Sequence, residues 1–310
     1  MNNPDLLRNK IKLIDERIKK CDLCPRNCKV NRSNGELGFC KAPRDAVVYS
    51  YVAHPGEEPP ISGRHGSGTV FFSYCTLRCA YCQNYKFSQL QNGKSVSDDE
   101  LSDIFLKLQG DGCHNINLVT PTHFLQSILK ALDTAGEKGL KIPIVYNTSG
   151  YENLDTLEIL DGIADIYLAD IRYSGNEPAR KFSCAQDYAD VARKAISKMY
   201  KSVGNLKMER GIAKKGLIVR LLILPNDSGA IEETLKFLSK DVSKEIYISL
   251  MSQYMPAYKA SGFKEISRRI SQKEYDAAVQ LLDKYGLKNG WVQDFVADER
   301  LAGTNLRPIE

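Results

Sequence analysis

The stretch that decides the reading is Phe71-Phe72-Ser73-Tyr74-Cys75-Thr76-Leu77-Arg78-Cys79-Ala80-Tyr81-Cys82-Gln83-Asn84, in which the cysteines are spaced C-x3-C-x2-C. A zinc site or a fully protein-held iron–sulfur cluster normally takes four protein ligands. Three thiolates on one short loop therefore leave a metal position free for something other than protein. Three nearby cysteines can also belong to a structural metal knot, and the surroundings argue between the two. Residues 68–74 form a β-branched and aromatic run that reads as a strand. The cysteines begin directly at its C-terminal end, where parallel α/β barrels place their chemistry.

Upstream lies a second set, Cys21, Cys24, Cys28 and Cys40. Three of them crowd one turn and the fourth follows a glycine-containing loop, a number and placement that close a tetrahedral metal site. Zinc there would be structural, whereas iron–sulfur would be structural or an electron relay. Four reduced cysteines packed without metal are the alternative, but Asp22, Arg26, Asn27 and Lys29 make the segment too polar for a core.

Downstream, strands alternate with helices. Strands are expected at 68–74, 116–120, 142–147, 165–170, 217–224 and 245–250. Amphipathic helices are expected at about 97–110, 122–138, 153–162, 186–203, 229–240 and 271–285. A leading helix covers 5–20, and the turn formers of 54–63 read as an ordered loop. Six β-α repeats predict an α/β fold with a parallel, barrel-like sheet. The expected division is 1–45 as helix and Cys-rich metal-binding segment, 46–290 as the barrel and 291–310 as a C-terminal extension.

The 43 basic and 38 acidic residues are interspersed and leave a net charge of +5, which does not by itself argue for nucleic acid. The basic cluster at 207–215 reads as a solvated face. No stretch approaches the roughly 20 apolar residues of a membrane span, and the charged amphipathic N-terminus is unlike a signal-peptide core. Cytoplasm is the expected location, and in that setting nine cysteines are better explained by metal ligation than by disulfides.

The Cys75–Cys82 loop resembles the radical S-adenosylmethionine (SAM) superfamily, with Tyr81 at the motif's aromatic position. The resemblance implies a partial (β/α)6 TIM-like barrel. It also implies a 4Fe-4S cluster on Cys75, Cys79 and Cys82 whose fourth iron is chelated by SAM, electron transfer that cleaves SAM to a 5′-deoxyadenosyl radical, and low-oxygen conditions. The strand ends extend it. Asn147-Thr148-Ser149-Gly150 is close to the Asp-Thr-Asn-Gly element of glycyl-radical activating enzymes, Asp170-Ile171-Arg172 is like their Asp-Leu-Lys, and the strand containing Arg220 is closed by Pro225. The SAM contacts so implied are Tyr81, Asn117, Thr120, Thr122, Asn147, Ser149, Asp170, Arg172, Arg220 and Gln253. An arginine's planar fork suits the SAM carboxylate, which singles out Arg172 and Arg220. The Thr120-Pro121-Thr122 turn departs from the Gly-Gly-Glu-type turn of many members. Together with Cys21-x2-Cys24-Pro25-Arg26-x-Cys28, these strings resemble the pyruvate formate-lyase activating enzyme-like branch. That branch implies a reductant such as flavodoxin or ferredoxin and a glycyl-radical enzyme or other protein substrate. Action on a small molecule, peptide or RNA is the alternative.

Overall fold

A computed structural model describes residues 4–295 and 308–309. Its strands are β1 (Val47–His54), β2 (Ser67–Phe72), β3 (Lys94–Ser95), β4 (Ile116–Val119), β5 (Ile144–Thr148), β6 (Ile166–Asp170), β7 (Lys207–Glu209), β8 (Ile212–Leu222), β9 (Tyr247–Met251) and β10 (Gly290–Val292). The sheet order is β10-β9-β8-β6-β5-β4-β2-β1-β3, with β7 hairpinned onto β8. From β2 to β10 every neighbouring pair along this order is parallel, and β1 and β3 add antiparallel edges. The fold is thus α/β with a mostly parallel sheet. Among the described residues, no pairing joins its two outer strands.

Ten helices accompany the sheet among the described residues. The first five are α1 (Pro4–Arg17), α2 (Pro59–Ser62), α3 (Tyr85–Ser88), α4 (Asp98–Gly110) and α5 (Leu125–Glu137). The rest are α6 (Leu154–Leu160), α7 (Asn176–Ser183), α8 (Tyr188–Val203), α9 (Ile231–Phe237) and α10 (Gln272–Tyr285). The starts of α4 and α10 are fixed by capping boxes, Ser97 with Glu100 and Ser271 with Glu274, which satisfy otherwise orphaned backbone donors. Strands β2, β5 and β6 are buried at every position, as expected where both sheet faces are covered.

Strand periodicity explains how the site is positioned. On one face, Tyr146, Tyr167, Leu217 and Val219 join the large core shared with the helices. On the other, Val145, Ile166, Leu168 and Ile218 pack around Ile61 of α2 in a separate cluster. Because side chains alternate, the next residues on that second face are Asn147, Asp170 and Arg220. Each strand therefore presents an apolar residue early and a polar one at its C-terminal end. The one-turn helix α2, inside the segment expected as loop, plugs the apolar part.

Several elements were not expected from the sequence. β1 lies antiparallel between β2 and β3, and β10 is a seventh parallel strand, short enough to give no periodic signal. The boundary drawn at residue 290 falls inside it, and most of the C-terminal extension lies outside the described residues. The N-terminal helix joins the main core through Leu7 and Ile14, and the turn after it through Ile18.

Candidate functional site

The cysteine loop leaves β2 through Tyr74, which has φ +68, a left-handed conformation rare for a bulky residue and commonest at functional sites. The Tyr74 N–H donates to Phe87 O at 2.9 Å, and Ala80 N–H donates to Phe182 O at 2.7 Å, so the loop is held at both ends. Cys79 is buried and accepts a hydrogen bond from Ser183 Oγ at 3.0 Å; Cys82 Sγ lies 3.2 Å from Ser88 Oγ. Burial, reinforced by the neighbouring Cys79, pushes the free Cys75 thiol up to about 12 and the free Cys82 thiol up to about 11. A coordinating metal reverses this, because a thiol that binds one is deprotonated outright. Among the described residues no three metal-binding side chains stand in a finished ligating arrangement. The loop does bring three thiols together, and that donor set suits an iron–sulfur cluster.

Beside this loop opens a cavity of about 520 Å³, within the usual range for small-molecule sites. Tyr81 and Cys82 line it on one side, and Thr120, Asn147, Asp170, Arg172, Arg220 and Gln253 line it from the strand ends. Asn117, Thr122 and Ser149 are instead buried and do not line it. Asn117 donates to Glu57 at 3.0 Å, Thr122 donates to Glu152 at 2.6 Å, and the Ser149 carbonyl accepts from Tyr188. They support the wall from behind.

Arg220 organises the lining. Its Nε donates to Asp170 at 2.7 Å, while its two terminal nitrogens donate to Glu57 at 3.2 Å and to Asn147 at 2.6 Å. The second Asp170 oxygen accepts from Arg172 at 2.6 Å. Buried acidic partners, Asp170 foremost, hold the Arg220 guanidinium charged against the cost of burial. The arrangement combines guanidinium and carboxylate groups in one cavity open to solvent. That chemistry suits a small zwitterion with an extra positive centre, which describes SAM.

Glu57, Glu58 and His54 also line the cavity and were not among the expected site residues. The signal was present in Glu57-Glu58-Pro59-Pro60, two acids ahead of a rigid turn, but only folding places it beneath strand ends more than sixty residues away. Glu152 was missed as well. It is buried behind Thr122 and Thr148, with burial pushing its carboxyl up to about 7.

The second cysteine set also converges. Cys21, Cys24, Cys28 and Cys40 line one small pocket with Arg32 and His123. Paired hydrogen bonds, Cys21 N to Val30 O and Lys29 N to Cys21 O, both 2.8 Å, fold the segment back on itself. Gly38 gives Cys28 its room, since a Cβ there would lie 2.9 Å from Cys28 Sγ. Arg26 Nε donates to Thr76 O at 2.9 Å, inside the other cysteine loop, and its guanidinium stacks 3.7 Å above Phe39. His123 sits in the short turn that leads into α5, where it is buried, donates from Nε2 to Ser73 O at 2.7 Å, and is held neutral by a pKa lowered to about 4 through burial.

Comparison with known proteins agrees with this geometry. An uncharacterized protein of Methanocaldococcus jannaschii is 30% identical over 294 residues, covering 92% of this chain and 80% of its own length. The crystal structure of Streptococcus suis SuiB matches with a TM-score of 0.50 at 13% identity, over 72% of this chain, which spans about half (47%) of that structure. This second likeness concerns the fold alone. A domain of pyruvate-formate lyase-activating enzyme from Bacteroides vulgatus reaches a TM-score of only 0.37 at 14% identity, over 52% of this chain and 86% of that one, and carries no argument for a branch. Among the described residues no helix is long and apolar enough to cross a membrane. The sequence profile of the Radical SAM superfamily matches residues 69–238, from the strand before the cysteine loop through α9, and the chain belongs to that superfamily.

Proposed function

We propose that Cys75, Cys79 and Cys82 hold a 4Fe-4S cluster and that SAM occupies the adjoining cavity, as a partner in forming a radical that abstracts hydrogen from a substrate. Superfamily membership implies the cofactors and the cleavage of SAM to a radical. The assignment to these residues is our own reading. The observation that carries it is a single cavity bordered by the Cys82 side of the three-thiol loop and lined by Asn147, Asp170 and Arg220 at successive strand ends. When bound, the cluster and SAM supply electron transfer and the radical; the protein binds, orients and excludes water. In this reading β2, β4, β5, β6, β8 and β9 form the six strands of a partial barrel, residues 1–45 a metal-binding segment packed against it, and residues 291–310 an extension. Arg172 and Arg220 serve the SAM carboxylate, Tyr81 its adenine, and Thr120 and Gln253 the rim.

The finer reading is an activating-enzyme-like protein that makes a radical on a partner such as a glycyl-radical enzyme, with electrons from flavodoxin or ferredoxin. It is supported by the resemblance of the strand-end strings. The second reading is modification of a small molecule, peptide or RNA. We propose a separate metal centre on Cys21, Cys24, Cys28 and Cys40, either a second iron–sulfur cluster or zinc.

The deciding experiment is anaerobic reconstitution followed by dithionite and SAM, read as 5′-deoxyadenosine. Wild-type protein should form it, and Cys79→Ala should form none while keeping the N-terminal metal. Full yield from Cys79→Ala removes the cluster assignment. A long-lived radical on a co-expressed partner separates the activating-enzyme reading from the small-molecule one.

A further inference from the structure

We propose that Glu58 anchors a ligand bearing a primary ammonium group in the cavity beside the cysteine loop. The inference rests on reading this cavity as a ligand site and adds the chemistry it selects. Three carboxylates are sunk into its wall, Glu57, Glu58 and Asp170, against two guanidinium groups, Arg172 and Arg220, which leaves one negative charge in excess. Asp294, also on the lining, is exposed at the rim. Asp170 spends both oxygens on Arg172 and Arg220. Glu57 spends its oxygens on Asn117 and Arg220, and each Arg220 nitrogen donates to Asp170, Glu57 or Asn147 rather than to Glu58. Glu58 is the remaining acid.

Glu58 is only 7% exposed, makes no ion pair among the described residues, and its Oε2 has no hydrogen-bond partner among them although the Ser249 side chain approaches the carboxyl. A buried carboxylate oxygen without a hydrogen-bond donor is costly. The carboxyl is pushed up mainly by burial, which the nearby Arg220 charge only partly opposes and to which Glu57 adds, and a cationic ligand donating to the free oxygen would relieve that penalty. Its position is also fixed in advance. The Glu58 carbonyl accepts from Ile61 N–H at 2.8 Å and Ser62 N–H at 3.0 Å, and Pro59 and Pro60 follow directly, so the side chain projects from a rigid turn. One unsatisfied oxygen favours a compact ammonium over a guanidinium, whose planar fork needs two acceptors.

Two sources present such a group: the α-ammonium of SAM, and a substrate with an aliphatic amine. Full-length, anaerobically reconstituted protein can be titrated with two pairs of probes. One is SAM against its analogue with hydrogen in place of the α-amino group, and the other is butylammonium against butanol. The chain's single tryptophan, Trp291, lines the cavity, so its emission reports occupancy alongside calorimetry. Wild type should favour the ammonium member of at least one pair tenfold or more, and Glu58→Gln should abolish that preference. Loss for the SAM pair assigns the site to the cofactor, and loss for the butylammonium pair assigns it to the substrate. Equal binding within both pairs by wild type, or a preference that survives in Glu58→Gln, overturns the proposal. Equal binding by wild type decides against the proposal even if the Glu58→Gln variant does not fold, and Glu58→Asp, which keeps the charge and should keep the preference, serves as the second variant. Failure of wild type to bind SAM at all would count against the function proposed above, while the butylammonium pair would still judge Glu58.

Discussion

Arg220 and Glu152 show what single residues contribute. Replacing Arg220 by Lys keeps the charge but loses the fork that reaches Asp170, Glu57 and Asn147 together. Cluster absorbance should be unchanged, whereas SAM affinity should fall by about 1.5–3 kcal/mol, the worth of a hydrogen bond to a charged group, roughly ten- to hundredfold in Kd. Equilibrium titration checks this, and unchanged affinity would make Arg220 purely structural. Glu152 carries a pH dependence. Its carboxyl titrates near 4.5 when unfolded and is raised to about 7 by burial in the native state. Between those values the native state binds more protons than the unfolded one, so the stability this group contributes is full below about pH 4.5 and is lost as pH rises through 7. The loss is on the order of 3 kcal/mol. Urea unfolding at pH 5 and pH 8 should show a smaller drop for Glu152→Gln than for wild type, and an identical drop would remove the assignment. The thiols were legible in the sequence because metal ligation depends on spacing. Glu58 and Glu152 were not, because an acid becomes unusual only when folding removes its water and its partners.

At the scale of the element, the end of β5 depends on Gly150. Its φ is +78, and a Cβ there would lie 2.4 Å from the Asp170 carbonyl. Gly150→Ala incurs about 1–2 kcal/mol for the left-handed backbone and about 1–3 kcal/mol for overpacking. It should lower the melting temperature and also weaken SAM binding, since Asp170 must move; a melting temperature equal to wild type would show that the turn relaxes freely. All six expected strands are present to within a few residues at their starts, apart from the longer β8, because buried parallel strands are continuous apolar runs bounded by turn formers. β1 was equally legible in Val47-Val48-Tyr49 but precedes the first βα unit, so the alternation used to find strands passed over it. β10 has three residues, and its pairing with β9 requires Gly290, where a Cβ would fall 1.9 Å from Ile248 O. Nothing local announces such a contact.

For the whole molecule, the two cysteine sets form one assembly. Arg26 binds Thr76 O, and Arg78 binds Phe39 O at 2.9 Å, so each cysteine segment holds the other's backbone. A Cys24→Ser, Cys28→Ser double variant should lose one metal centre: about four of eight irons if that centre is a cluster, or one zinc with about four irons kept. Because structural metal binding is folding energy, amide exchange should quicken in residues 20–45 and then in the Cys75–Cys82 loop, while β5 and β6 stay protected. Metal content equal to wild type would refute a separate centre. The N-terminal segment also exchanges hydrogen bonds with residues far along the chain: Arg32 donates to His123 O, Asn153 donates to Asp22 O, and Thr156 donates to Leu23 O. During synthesis at about 5–20 residues per second, the first four thiols leave the ribosome roughly 6–25 s before residues 153 and 156 emerge to bond the Asp22 and Leu23 carbonyls. In that interval they are solvent-facing and open to oxidation or to the wrong metal. If these four thiols hold the proposed metal, its delivery to the nascent segment, or protection of the sulfur until the last partner emerges, becomes part of making the protein.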